Sequence, residues 1–453
     1  MDNVLEAVFD KIDQNAQLYT TWLQELCRQP SVAAQNRGMA ETAALVARLL
    51  EAVGARAERV PTAGFPVVYG ELQQGAPGAR TLAFYNHYDV QPEDPLEAWD
   101  SPPFAAEIRG GHLYARGAAD NKGNLAARLA AVHAYRQVGA LPVNLKFIVE
   151  GEEEIGSPNI AAFAAAHPDK VRADGCVWEF GYKNPDGQLQ VSLGVKGMCY
   201  VELRVRGANT DLHSANAAVV ENPAWRLVWA LATLKGTDER VLIEGFYDRV
   251  LPPSAEEVAL LDEMAYNEAE TLEQLGLGSF LGGRTGRDLK EALVFGPTCT
   301  ICGLSAGYSG PGTKTVLPAT ASAKLDFRLV PDQDPHEVLA ALRRHLDARG
   351  FGDIEVTPYS LEHPAKTDLG APLIETVLAQ ARRVYGREAT VNRLSPGTGP
   401  MYPLCQAQGV PAVSFGVGHA GSNNHAPNEN IALQDFIDGI KMVAAVIHGF
   451  GAA

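Results

Sequence analysis

No stretch of the 453 residues approaches the roughly 20 consecutive apolar positions that a membrane-spanning helix needs. No membrane partner is therefore expected. The opening Met1-Asp2-Asn3-Val4-Leu5-Glu6 has neither the basic segment nor the apolar core of a secretory signal, so the expected location is cytoplasmic. Cysteine is scarce. Six residues spread along the chain are too few for a disulfide scaffold. Basic residues are also short: 38 Lys and Arg face 54 Asp and Glu, a formal net charge of -16. Phosphate recognition needs a basic face, so nucleic acid is not an expected partner. The excess of acid favours solubility instead. No glycine-rich dinucleotide turn follows a first strand, which argues against an oxidoreductase. Internal repeats and low-complexity linkers are absent too.

What is present is ordinary for a globular chain: 46% hydrophobic and 20% charged residues. The length implies two or three domains with a large core. Cys299 and Cys302 form a C-x-x-C in an alternating, strand-like stretch with no second pair nearby. They read as buried, inert thiols.

Apolar residues at Leu5, Val8, Ile12, Leu18, Trp22 and Leu23 recur near a helical period, and Pro30 stops the run. A second helix is expected over 41–53, with Gly54 as its C-cap. Strands follow at 81–85, 143–149 and 173–178, with a helix at 124–136. Near Gly194 the pattern changes. Val201, Leu203 and Val205 alternate with charged residues, as do Ala323, Leu325, Phe327 and Leu329 with polar ones, so each strand has one wet face. With helices at 221–235 and 335–349 and a strand at 353–359, this is a ferredoxin-like β-α-β-β-α-β order, carrying an acidic helical insertion at 238–293. After Pro364 the buried α/β pattern returns: a helix at 372–385, a strand at 412–416, and a last helix striped by Leu433, Phe436, Ile437, Ile440, Val443 and Ile447. The expected fold is α/β: a large domain (1–194 and 365–453) with a mixed central sheet flanked by helices. A smaller ferredoxin-like α+β domain (195–364) interrupts it.

Five polar segments fall at the ends of expected strands. In Tyr85-Asn86-His87-Tyr88-Asp89, positions two apart on a strand share a face, so His87 and Asp89 point the same way. A metal-bound imidazole usually gives its other N–H to a carboxylate, which suits Asp89. The same pair also reads as an ordinary hydrogen bond. Asp120, in Arg116-Gly117-Ala118-Ala119-Asp120-Asn121-Lys122-Gly123, is either a helix N-cap or a carboxylate whose two oxygens bridge two metals. Glu150, Glu152, Glu153 and Glu154 crowd one loop after an apolar strand. A solvated acidic loop accounts for them. So does a cation, with one carboxylate ligating and a neighbour of raised pKa acting as general base. Glu179 follows another strand, and His425 lies in the polar loop 422–429 before the last helix. Nitrogen and oxygen donors without thiolate suit zinc, and also manganese or cobalt.

In this order, H-Y-D, R-G-A-A-D-N-K-G, E-G-E-E-E-I-G-S, D-L-H-S and G-P-G-T-K-T-V-L-P resemble the dinuclear zinc peptidase family. That family includes carnosinases, cytosolic dipeptidases, glutamate carboxypeptidases, aminoacylases and succinyl-diaminopimelate desuccinylases. The resemblance covers nearly the whole chain and is nearest to the cytosolic dipeptidase and carnosinase branch. It implies two divalent metal ions per subunit, with Asp120 bridging them. His87 and Glu179 would complete one site, and Glu154 and His425 the other. It implies a cis peptide at Asp120-Asn121, Asp89 orienting His87, and Glu153 as general base for a metal-bridging water. His213 would reach the active site of the other subunit of a homodimer, the inserted domain serving as lid and dimerisation domain. Arg328 would grip a substrate carboxylate, aided by backbone N–H groups of the loop holding Gly397 and Thr398. The implied activity is cleavage of dipeptides or short peptides with a free C-terminal carboxylate. One departure bears on substrate: the dipeptidase branch usually has Asp where this chain has Glu179, and Glu is commoner in the carboxypeptidase and deacylase branches. A deacylase of N-acyl amino acids is therefore the alternative. A non-catalytic binding protein on the same scaffold is a more remote one.

Overall fold

Three apolar runs form adjacent parallel strands, with Thr81–His87 between Asn144–Glu150 and Gly175–Trp178. They are the middle of an eight-stranded sheet whose order is Arg56–Val60, Val67–Leu72, Asn144–Glu150, Thr81–His87, Gly175–Trp178, Ala412–Ser414, Gln190–Ser192 and Thr390–Asn392. Antiparallel pairs occur on both sides of the parallel centre, so the sheet is mixed. Side chains on both faces of the central strands are buried, as expected where helices cover a parallel sheet. Phe84 and Phe147 meet across neighbouring strands with ring centroids 5.1 Å apart. Each such buried ring contributes about 1.5–3 kcal/mol. The helices Lys122–Val138, Pro372–Tyr385 and Leu433–Ala452 add their apolar residues to the same core.

The computed structural model describes residues 2–73 and 78–452, and it divides into two compact units. The first comprises Met1–Gly194, Lys366–Arg393 and Gly399–Ala453; the second comprises Val195–Ala365 and Leu394–Thr398. In the second, an antiparallel sheet runs in the order Thr300–Ala306, Thr320–Leu329, Gly197–Arg206, Glu355–Glu362. Helices Pro223–Leu231 and Pro335–Ala348 pack Leu227, Ala230, Val338 and Leu342 against one face of it. This is the ferredoxin-like strand order. The insertion forms the helices Ala255–Glu263, Glu268–Leu275 and Gly286–Phe295, the first opened by a capping box of Ser254 and Glu257. Among the described residues, no helix is long and apolar enough to cross a membrane.

Three expectations need correction. The N-terminal periodicity is not one helix but two, Asp2–Gln14 and Ala16–Arg28. Asn15 breaks it, its side-chain amide donating back to the Lys11 carbonyl at 2.8 Å. The break rotates the buried face to Tyr19, Leu23 and Leu26 and leaves Leu18 exposed. Secondly, Cys302 is exposed, whereas Cys299 is buried. Cys299 precedes the strand Thr300–Ala306, and Cys302 falls at a bulge in that edge strand, where the pairing passes from Ile301 to Gly303 and nearly every side chain is exposed. Lastly, the short segment Leu394–Thr398 clusters with the second unit. The Lys196 N–H donates to the carbonyls of Ser395 and Gly397 at 3.3 and 3.0 Å, a link no local pattern announces.

Candidate metal centre

The three central strands run parallel, so their carboxyl ends deliver side chains to one edge of the sheet. His87 is the last residue of its strand, Glu179 follows Trp178, and Glu153 and Glu154 lie in a single 3-10 turn after Glu150. The buried Arg128 spaces the first two. It donates to the Tyr85 carbonyl, to Asn86 Oδ1 at 2.7 Å, and to the Trp178 and Glu179 carbonyls at 2.7 and 2.8 Å. Tyr85 and Trp178 stack between those strands at 3.9 Å.

Asp120 sits in the loop before Lys122–Val138. It makes no helix cap: Asn121 holds the N-cap position, without a side-chain cap bond, and the Asp120–Asn121 peptide is cis. The loop is shaped by Glu429, which is fully buried. Its carboxylate accepts from Arg116 Nη1 at 2.8 Å and from the N–H groups of Gly117, Ala119 and Asp120 at 2.9, 2.9 and 3.0 Å. Hydrogen bonds to a charged group contribute about 1.5–3 kcal/mol each, so Glu429 locks both this loop and its own. In the latter, Asn423, His425 and Asn428 all have positive φ, which for His425 is an uncommon backbone state.

The predicted ligands converge. Asp120 Oδ1 lies 3.0 Å from His87 Nε2, and Asp120 Oδ2 lies 3.2 Å from His425 Nε2. Glu179 Oε2 is 4.0 Å and Glu153 Oε2 3.9 Å from His87 Nε2, while Glu154 Oε2 is 3.3 Å from His425 Nε2. One oxygen of Asp120 thus faces each histidine. Donor atoms of His87, Asp120 and Glu154 all lie within 4.8 Å of one another, a metal-sized cluster. His87 and Glu179 are buried; His425 is half exposed.

Asp89 is placed differently from the simple strand picture, since the strand ends at His87. Its backbone carbonyl is 3.1 Å from His87 Nδ1, and its carboxylate 3.4 Å. That carboxylate also accepts the N–H groups of Glu153 and Glu154 at 3.3 and 2.9 Å, so it fixes the acidic turn as well as the imidazole.

The charges are mutually dependent. Burial, and next the charge of Glu179, push the Glu153 carboxyl well above its ordinary range. Burial lifts Glu179 to about 8 and Glu150 to about 8. Burial alone would raise Asp120 as well, but hydrogen bonds to His425 and His87 hold it below the usual carboxylate range. His425 is raised to about 10 by its bonds to Asp120 and Glu154. For His87, burial opposes the charged form, yet Asp120 and Asp89 outweigh it and raise it. Five carboxylates, Asp89 included, face two imidazoles, and Glu179 Oε2 is buried without a hydrogen-bond partner among the described residues. Such a set fits a divalent cation and is costly without one. Its nitrogen and oxygen donors suit zinc, manganese or cobalt.

The remaining predicted residues lie in the second unit. Arg328 donates from Nη1 to Thr398 Oγ1 at 2.7 Å and from Nε to Asp326 Oδ2 at 3.0 Å, so these two predicted residues meet. The Gly397 N–H donates to Ser395 Oγ at 3.3 Å in an exposed local turn. His213 is exposed; its Nδ1 accepts from the Ala215 N–H at 3.1 Å and its Nε2 is 3.3 Å from Thr315 Oγ1. Sequence reasoning passed over Lys196, which is buried near Arg328 and donates to the Gly296 carbonyl at 2.7 Å. Burial and then Arg328 lower it to about 8. It also passed over Arg128 and the anchoring role of Glu429. A lone basic residue inside an apolar run was the available signal for Arg128 and Lys196.

Residues 83–449 match the model of Peptidase family M20/M25/M40. The chain is 27% identical to the Cys-Gly metallodipeptidase dug1 of Schizosaccharomyces pombe, over 98% of each. It is 28% identical to the human Beta-Ala-His dipeptidase over 98% of this chain and 92% of that one. Among solved structures, an M20 family metallo-carboxypeptidase from Sulfolobus solfataricus superposes with a TM-score of 0.91 at 40% identity, covering 95% of this chain and 98% of the other.

Proposed function

The chain belongs to Peptidase family M20/M25/M40, and we propose that it hydrolyses dipeptides or short peptides bearing a free C-terminal carboxylate. One observation carries the reading: the two oxygens of Asp120 face two separate histidines, with Glu153 beside them. Asp120 would be the shared ligand of two divalent ions, zinc being the first choice and manganese or cobalt also suited. His87 and Glu179 would hold one ion, Glu154 and His425 the other. When bound, the pair supplies Lewis acidity that polarises the scissile carbonyl and acidifies water.

The rest is the work of side chains. Glu153 takes a proton from the attacking water as the C–O bond forms. It gives that proton to the amine nitrogen as the C–N bond breaks. A carboxyl whose pKa is lifted by burial is suited to hold a proton between the two steps. Asp89 keeps Glu153 in register through its backbone N–H and orients His87. Arg328, steadied by Thr398 and Asp326, grips the substrate carboxylate with its planar guanidinium. Gly397 contributes its N–H only after release from Ser395. His213 steadies the oxyanion in the active site of the other subunit of a homodimer. The second unit is thereby lid and dimerisation domain, the first the catalytic domain. Six free cysteines agree with a reducing, cytoplasmic setting.

The test is a panel of dipeptides, longer peptides and N-acyl amino acids, offered to protein stripped by chelator and restored with zinc, manganese or cobalt. Metal-restored cleavage of the peptides is expected. Preference for N-acyl amino acids would replace this reading with the deacylase that Glu179 also fits. Mixing Glu153→Gln with His213→Ala subunits should restore activity lost in each. No restoration on subunit exchange would remove His213 from the partner's site.

A further inference from the structure

The second unit holds another group of metal-binding side chains, which shares no residue with the acidic cluster. Asp334 and His336 open the helix Pro335–Ala348, and His363 directly follows the strand Glu355–Glu362. Donor atoms of the three residues lie within 4.8 Å of one another. We propose that Asp334, His336 and His363 form a third divalent-metal site, outside the proposed catalytic pair.

The geometry supports a site rather than a cap alone. Asp334 is the helix N-cap, its Oδ1 accepting the His336 N–H at 2.8 Å. That bond explains why Asp334 is there, and it leaves the carboxylate its second oxygen. It does not explain the convergence of two imidazoles on the same carboxylate. The rings of His336 and His363 are 5.9 Å apart and inclined at 47°, so they are not stacked. Two nitrogens and one oxygen match the donor preference of zinc, cobalt or nickel. Three protein ligands leave the remaining positions to water. The positive end of the helix opposes a cation, but only by about 0.3–1 kcal/mol.

A metal here would tie the start of the helix to the exit of the last strand of the four-stranded sheet. It would therefore stabilise the second unit in proportion to the logarithm of free metal. Partly exposed ligands and open positions imply weaker binding than at the buried cluster, so the site fills last in a titration.

The test uses the full chain, dialysed against buffered free zinc and assayed for bound zinc by mass spectrometry, together with its thermal midpoint. Wild type is expected to bind one more zinc per chain than His336→Ala or His363→Gln. It should also gain a zinc-dependent rise in midpoint that both variants lose. His336 is exposed, so its variant should fold even where the partly buried His363 does not tolerate change. Equal zinc content in wild type and His336→Ala would overturn the proposal. Repeating the comparison in an Asp120→Asn background separates the two readings, since that change touches only the acidic cluster. A His336-dependent equivalent of zinc there supports the third site whether or not the cluster binds metal.

Discussion

The two sheets place chemistry in different ways. In the eight-stranded sheet the central strands are buried on both faces, so no mid-strand side chain is available to a substrate. The candidate ligands and base that this sheet supplies stand at or just beyond a carboxyl end: His87, Glu153, Glu154 and Glu179. In the four-stranded sheet helices cover one face only. Ala323, Leu325, Phe327 and Leu329 go inward, while Lys324, Asp326 and Arg328 stand on the opposite face in mid-strand. A doubly covered parallel sheet concentrates functional groups at its edge, under strong mutual electrostatic influence. A singly covered antiparallel sheet offers them along a face, joined in local pairs such as Arg328 with Asp326 and Glu202 with Tyr359.

The difference can be tested from its strongest point downward. Glu153→Gln, at the buried edge, should cut peptide hydrolysis by about 10²–10⁴-fold while the fold is kept. Rate and circular dichroism measured together check it, and near-normal activity would break the picture of a reactive edge. Glu429→Ala should cost about 3–5 kcal/mol, because Arg116 and three backbone N–H groups lose a buried charged partner. Removing Glu202 from the helix-free face of the small sheet, where it is largely buried and meets Arg204 and Tyr359, should cost about 1.5–3 kcal/mol. Urea unfolding of the two variants compares them directly. Arg328→Lys keeps the charge but not the planar fork, and about tenfold in kcat/KM should be lost, mostly in KM. A fall confined to kcat would move Arg328 from binding to chemistry.

The last test is in pH, and it reads the buried edge as a whole. Burial lifts Glu150 and Glu179 from 4.5 to about 8, so the folded state holds protons that the unfolded state releases. Their contribution is complete below about 4.5 and is lost as pH rises through about 8. The chelated protein should therefore lose thermal stability between about pH 5 and pH 9, and added zinc should flatten that slope. Glu202 has the opposite sign. Its hydrogen bond from Tyr359, and then from Arg204, lowers its pKa, so its small contribution is lost only in acid. A chelated protein that gained stability with rising pH would contradict the account of the buried edge.

Much of this was legible beforehand where local pattern and tertiary role agree. The helix expected over 372–385 is Pro372–Tyr385, with Pro at its first turn and Gly386 in the left-handed cap. The alternating strand near 320 is Thr320–Leu329. The segments that supply the metal cluster were readable because strand ends are punctuated by a change from apolar to polar residues. Asn15 was not: a side chain that turns back on its own backbone leaves no mark on a hydrophobic period. Nor were the bonds of Gly397, its N–H to Ser395 and its carbonyl to Lys196, which depend on where those two residues come to rest.

By itself, then, the sequence determined which residues are apolar at which period, and hence the strands, most helices, the two-unit plan and the identity of the acids and histidines at the strand ends. These are properties of short windows, read from spacing and composition. Only the tertiary structure decided that Asp120 turns one oxygen to His87 and the other to His425, that Glu429 and Arg128 lock the loops that make this so, and that Asp334 and His336 come against His363. Those outcomes join residues distant along the chain. Their energies come from burial and hydrogen bonding that exist only once the chain has closed on itself.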